Sequence, residues 1–140
     1  MLIWHEQYST GSPAIDEQHR ELIRRLNRFE SLLVVTNPTS EDMVMMTDSL
    51  DFLEYYIDLH FQYEEQCMEQ YRCPAHQQNK DAHQEFRQLF KRFKSNTAKE
   101  GFQIRMLLEI NESINAWIQE HILQIDTQLK PCFARKPKPG

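Results

Sequence analysis

Residues 43–64, MVMMTDSLDFLEYYIDLHFQYE, place Met43, Met46, Leu50, Leu53 and Ile57 at helical spacing. The stripe predicts a helix with one buried face, starting after Asn37-Pro38 with Thr39 or Ser40 as its cap. The next rungs of the same ladder are His60 and Glu64. A carboxylate on a core face is rare unless it is paired or bound to a metal, because burying it alone is costly. One turn separates His60 from Glu64, so both side chains can reach one point.

Outward from this stretch the same pattern recurs three times. Ser12-Pro13 is a cap followed by proline at the first helical position, and Ile15, Leu22, Leu26, Phe29 and Leu33 then form a stripe whose gap is filled by His19. After Cys73-Pro74 a third segment carries Asn79, His83, Phe86, Phe90 and Phe93. After Gly101 a fourth shows Leu107, Ile110, Ile114, Trp117 and His121, with Ile118, Ile122, Ile125 and Leu129 widening the apolar face.

Breakers are few: three Gly and six Pro in 140 residues, with Pro131, Pro137, Pro139 and Gly140 in the last ten positions. Such scarcity argues against a β-sandwich or barrel and against a disordered chain. Pro38, Pro74 and Gly101 cut the body into four segments, which predicts an all-α, antiparallel up-down four-helix bundle with an extended N-terminal arm. Net charge is −5, and the twelve Lys and Arg against 21 Asp and Glu before Lys130 leave the body more acidic still. That balance excludes a nucleic-acid footprint. No apolar run has the length of a membrane span and the start lacks a basic segment followed by an apolar one, so the chain reads as cytoplasmic. Cys67, Cys73 and Cys132 are odd in number and lack metal-type spacing, and in that setting they read as reduced thiols.

Each helix thus turns one histidine inward: His19, His60, His83 and His121. One core histidine is ordinary. Four of them with Glu64, in a bundle that brings all four to the same end, would leave several buried polar groups unpaired at about 1 to 3 kcal/mol each. A metal site resolves this. Imidazole and carboxylate without thiolate suit iron, zinc or manganese, and the ligand count suits two metals bridged by carboxylates. Ferritin-like sites use Glu-x-x-His pairs, and none of the six histidines here has a Glu three residues before it.

Order and spacing over nearly the whole chain resemble the bacterial members of the hemerythrin family. The resemblance rests on Trp4, Tyr8 and Gly11, Ile15-Asp16-Glu17-Gln18-His19, His60-Phe61-Gln62-Tyr63-Glu64-Glu65 with Met68, Pro74, His83-Gln84-Glu85-Phe86, and Trp117 through His121-Ile122 to Asp126. It implies two non-heme irons joined by an oxo or hydroxo bridge. His19 and His60 would hold one iron, His83 and His121 the other, and Glu64 and Asp126 would bridge them, with dioxygen taken up at the first. Periodicity alone does not bring Asp126 to His121, since five residues turn about 140° round a helix. Its role is implied only by the resemblance.

One position departs from the family pattern. Where two histidines four apart are expected, the third segment has Asn79 and His83. Asparagine is a poor iron ligand, so water or another exogenous ligand is expected there, with rapid oxidation rather than stable carriage. His76 lies seven residues from His83, about 10.5 Å along a helix, and reads as a surface residue like His5. Phe61, Phe86, Trp117 and Ile122 read as walls that keep the pocket dry, and Met43, Met45 and Met46 as packing. Arg24-Arg25 and Lys91-Arg92 read as solvated faces.

Residues 1–130 are therefore expected to form the diiron domain, and 131–140, basic and rich in proline, a linker or tail leading to an output domain. The resemblance implies an oxygen- or redox-sensing domain of a signalling protein, with a diguanylate cyclase as the expected output. A free-standing oxygen carrier or store is the alternative, and a metal-storage or peroxide-handling enzyme a third reading. No nucleophile with its base and no phosphate-cradling loop is evident, so no catalytic residue is assigned.

Overall fold

A computed structural model describes residues 1–134. Four long helices, α1 (Pro13–Leu32), α2 (Ser40–Gln70), α3 (His76–Glu100) and α4 (Ile104–Gln124), are followed by a 3-10 turn at Asp126–Gln128 and a short α5 (Leu129–Phe133). Each long helix packs on the next, and α4 closes against α1. With connections this short, the neighbours run antiparallel, as the breaker pattern predicts.

The ends form where local chemistry sets them. Ser12 accepts from the Ile15 amide and Pro13 takes the first helical position. Thr39 caps α2 in a reciprocal box with Asp42. Gly101 ends α3 at φ +79°, a conformation that disfavours a side chain.

Ile15, Leu22, Leu26, Phe29 and Leu33 are buried, as are Met46, Leu50, Leu53 and Ile57. Met43 is half-buried, and Met45 faces solvent, so the methionine cluster is only partly packing. Phe86, Phe90, Leu107, Ile110 and Ile114 complete the main core, each worth roughly 1.5 to 3 kcal/mol on burial. A second cluster forms from Ile15, Met68, Cys73, Ala75, Leu129 and Cys132.

The N-terminal arm includes a 3-10 turn at Glu6–Tyr8. Asp16 fastens it: Oδ1 accepts from the amide and hydroxyl of Thr10, both at 2.8 Å, and Oδ2 from Ser9 at 3.0 Å. Arg20 lies over the Trp4 ring and the Asn27 amide donates to the Leu2 carbonyl.

One expectation is corrected here. Cys73 and Cys132 are joined in a disulfide, and only Cys67 is a free thiol. The two bonded cysteines are 59 residues apart, and they meet because α5 folds back beneath the turn between α2 and α3. Helix α5 includes Pro131 and Cys132, and Cys132 is buried. The rest of the expected linker, residues 135–140, lies outside the described residues. No helix among the described residues is long and apolar enough to cross a membrane.

Candidate metal centre

His19 and His83 lie within the first eight residues of α1 and α3, whereas His60 and His121 lie toward the ends of α2 and α4. Antiparallel packing therefore brings all four to one level. On α1 and α2 that level falls between the main core and the smaller cluster: Ile15, His19, Leu22 on α1, and Phe61, Glu64, Met68 on α2. The layer is polar with apolar packing above and below.

Two ligand groups result. His19, His60, Glu64 and Asp126 offer donor atoms within 4.8 Å of one another, and so do Glu64, His83, His121 and Asp126. All six side chains are buried, and the two carboxylates belong to both groups. Asp126 arrives there because α4 ends at Gln124 and the 3-10 turn rotates the chain back inward.

The donor atoms crowd without satisfying one another. His19 Nε2 is 3.1 Å from Asp126 Oδ2 and 3.4 Å from Glu64 Oε2, and His60 Nε2 is 3.2 Å from Glu64 Oε2. Yet both His19 nitrogens, Glu64 Oε2 and both Asp126 oxygens lack a properly aligned hydrogen bond. Nitrogen and oxygen lone pairs gathered in this way, with no thiolate among them, fit one or two borderline cations such as iron.

Charge is polarised within this layer. Burial opposes a charged His19, but Asp126 and Glu64 outweigh it and raise its pKa to about 10. For Glu64, burial works against ionisation, and His60, His19 and His83 still hold it well below the usual carboxylate range. Burial lowers His60, whereas on His83 the same burial is outweighed by Glu64 and Glu65, which raise it.

Sequence reasoning assigned no role to the residues that orient these imidazoles. His60 Nδ1 is 2.7 Å from Gln18 Oε1, and His83 Nδ1 is 3.0 Å from Glu65 Oε2. Both partners are acceptors, so each Nδ1 carries the proton and each Nε2 keeps its lone pair for the centre. The rule is a local one: a residue beside a ligand on one helix holds the ligand of the next. The signal was adjacency, Gln18 to His19 and Glu65 to Glu64, since a neighbour 100° round the helix points at the adjoining helix.

Asn79 is fully buried. Its Nδ2 donates to Glu64 Oε1 at 2.6 Å and approaches Met68 Sδ at 2.9 Å. The amide thus presents a donor to Glu64, and its Oδ1 is buried without a hydrogen-bond partner. His76 is half-buried at the start of α3 and His5 is exposed, and neither belongs to a ligand group. Phe61 stacks on His83 with centroids 3.7 Å apart, and Trp117 on His121 at 4.3 Å. Phe86 meets both aromatic rings, and Ile122 is buried in the main core.

The family described as Hemerythrin HHE cation binding domain matches residues 10–133. A Bacteriohemerythrin of Stenotrophomonas maltophilia is 29% identical over 86 residues, covering 61% of this chain and 53% of that protein. This chain thus spans about half the length of that relative. A Bacteriohemerythrin of Clostridium acetobutylicum is 28% identical over 131 residues, 91% of this chain and 98% of that protein. With the matched span covering nearly all of the bundle and its polar layer, the chain belongs to the hemerythrin family of cation-binding domains.

Proposed function

We propose that this domain senses dioxygen or redox state through two non-heme irons in the polar layer, and that it regulates a C-terminal output such as a diguanylate cyclase. The observation that carries the reading is the pair of ligand groups sharing Glu64 and Asp126. In this reading His19 and His60 hold one iron, His83 and His121 the other, and the two carboxylates bridge. When bound, such a pair supplies reversible one-electron steps and open positions for dioxygen. The chain's own residues do the rest. Gln18 and Glu65 fix the imidazole tautomers, and Phe61 and Trp117 exclude water from the faces of His83 and His121.

Asn79 sets the behaviour of the His83 side. It offers a donor where the family pattern has an imidazole, so a position on that side would be left to a water or small anion, to which the buried amide would donate. With that position left to an exogenous ligand, the centre would favour rapid oxidation over stable carriage. Anaerobic reduction followed by exposure to air tests this: the diferric spectrum is expected to return quickly, and a long-lived oxygenated spectrum would contradict it.

A free-standing oxygen carrier is the second reading. It is favoured by the match over 98% of the Clostridium acetobutylicum protein, whose whole length one such domain accounts for. A cytoplasmic setting is also proposed, in which the thiol pool would act on the Cys73–Cys132 bond.

A further inference from the structure

Of the six side chains in the two ligand groups, only Asp126 lies outside the four long helices. It opens a continuous helical run, the 3-10 turn Asp126–Gln128 followed without a break by α5 (Leu129–Phe133). Neither of its carboxylate oxygens has an aligned hydrogen bond, although His19 Nε2 and His121 Nε2 each come within 3.1 Å. Those two contacts are the ones a metal would replace. The position of the carboxylate therefore depends on where the run that carries it is docked.

The docking rests on few contacts, and the Cys73–Cys132 bond is the covalent one. Leu129 and Cys132 are buried in the smaller apolar cluster, Phe133 meets the Tyr71 ring edge-on at 4.8 Å, and Lys130 packs on the N-terminal arm at Gly11. The other end of the bond is also near the centre, because Met68 of the same cluster lies 2.9 Å from the Asn79 amide. Both bonded cysteines are buried, so a thiol reaches the sulfurs only when α5 lifts. Unbroken helical backbone joins Cys132 to Asp126, and lifting α5 withdraws the carboxylate with it.

We infer that the Cys73–Cys132 bond is a redox-sensitive lock on the metal centre: closed, it holds Asp126 at both ligand groups, and reduced, it lets the carboxylate leave. The inference rests on the metal-binding reading given above. The reductant is a small thiol or a protein dithiol. Two electrons and two protons pass to the Cys73 and Cys132 sulfurs, the S–S bond breaks, and the donor leaves as its own disulfide. Linkage makes the coupling reciprocal: the free energy by which the closed bond favours metal is the free energy by which bound metal favours the closed bond.

Anaerobic competition for ferrous iron against a chelator, on the oxidised full chain and on the Cys73→Ser, Cys132→Ser double variant, tests the lock. The oxidised chain is identified by one free sulfhydryl, that of Cys67. The double variant is expected to bind iron at least about fivefold more weakly, the lower end of couplings between sites. Conversely, saturating ferrous iron is expected to shift the bond's equilibrium with a glutathione redox buffer toward the disulfide by at least about fivefold, or about 20 mV. In the metal-free protein, amide exchange over 126–133 is expected to quicken in the double variant relative to the centres of the long helices. Leu107→Ala, in the main core, is the control for lost stability, and should lower the melting temperature while leaving iron affinity as it was. A chain that takes up no iron overturns the metal reading and the lock with it. Iron bound equally by the oxidised chain and the double variant, or weakened as much by Leu107→Ala, overturns the lock and leaves the metal reading standing. So does a disulfide equilibrium that ignores iron, or exchange over 126–133 that ignores the bond.

Discussion

Asn79 Nδ2 donates to Glu64 Oε1 at 2.6 Å, and both side chains are fully shielded from solvent. The amide thus spends its donor on the carboxylate shared by both ligand groups, while its Oδ1 stays buried without a hydrogen-bond partner. Replacing it by histidine would place an imidazole beside that shared carboxylate. Asn79→His is therefore expected to lower the affinity of the iron-loaded protein for azide by about tenfold or more, equivalent to about 1.4 kcal/mol. Optical titration with azide measures this, and an unchanged affinity would mean the exogenous ligand binds elsewhere.

In the metal-free chain the same contact has a structural cost when removed. Asn79→Ala leaves Glu64 Oε1 without its donor and is expected to destabilise the apo fold by about 1 to 3 kcal/mol. Denaturant unfolding of chelator-treated protein reads this directly.

Glu65 and Gln18 do the same geometric task with different charge. Glu65 gives His83 an anionic partner, backed by Arg87 at 3.7 Å, whereas Gln18 gives His60 a neutral one. Glu65→Leu removes the acceptor, frees the ring to turn, and is expected to reduce iron affinity on the order of 10- to 100-fold. Glu65→Gln retains an acceptor and should recover much of the loss. Competition against a chelator distinguishes the two, and equal losses would argue that charge, not orientation, is what matters.

The Cys73–Cys132 bond closes a long loop, with the cysteines 59 residues apart, and holds α5 in the smaller apolar cluster. Its loss is expected to cost about 4 kcal/mol on loop-entropy grounds. Cys132→Ser should lower the melting temperature and leave the four long helices in place by circular dichroism. A melting temperature unchanged by Cys132→Ser or by reductant would show that the bond adds nothing to the fold.

How much of this was legible beforehand differs by residue. His19, His60, His83 and His121 could be read because each interrupts an apolar stripe, and a 3.6-residue period survives any detail of packing. Asp126 could not be placed by that period: the helix ends two residues before it and a 3-10 turn resets the direction. The disulfide was misread because spacing within the chain says nothing about α5 folding back on the α2–α3 turn. Gln18 and Glu65 carry no such signal, because polar residues on a helix flank look the same whether they face water or the next helix's imidazole.

Iron content together with the absorption spectrum tests the central claim most directly. Two irons per chain with charge-transfer bands of an oxo-bridged pair are expected, and both should fall together in Glu64→Ala and Asp126→Ala, because each carboxylate belongs to both ligand groups. A protein that binds one metal or none after anaerobic iron loading, or that loses only one of two irons on removal of either carboxylate, would contradict the account.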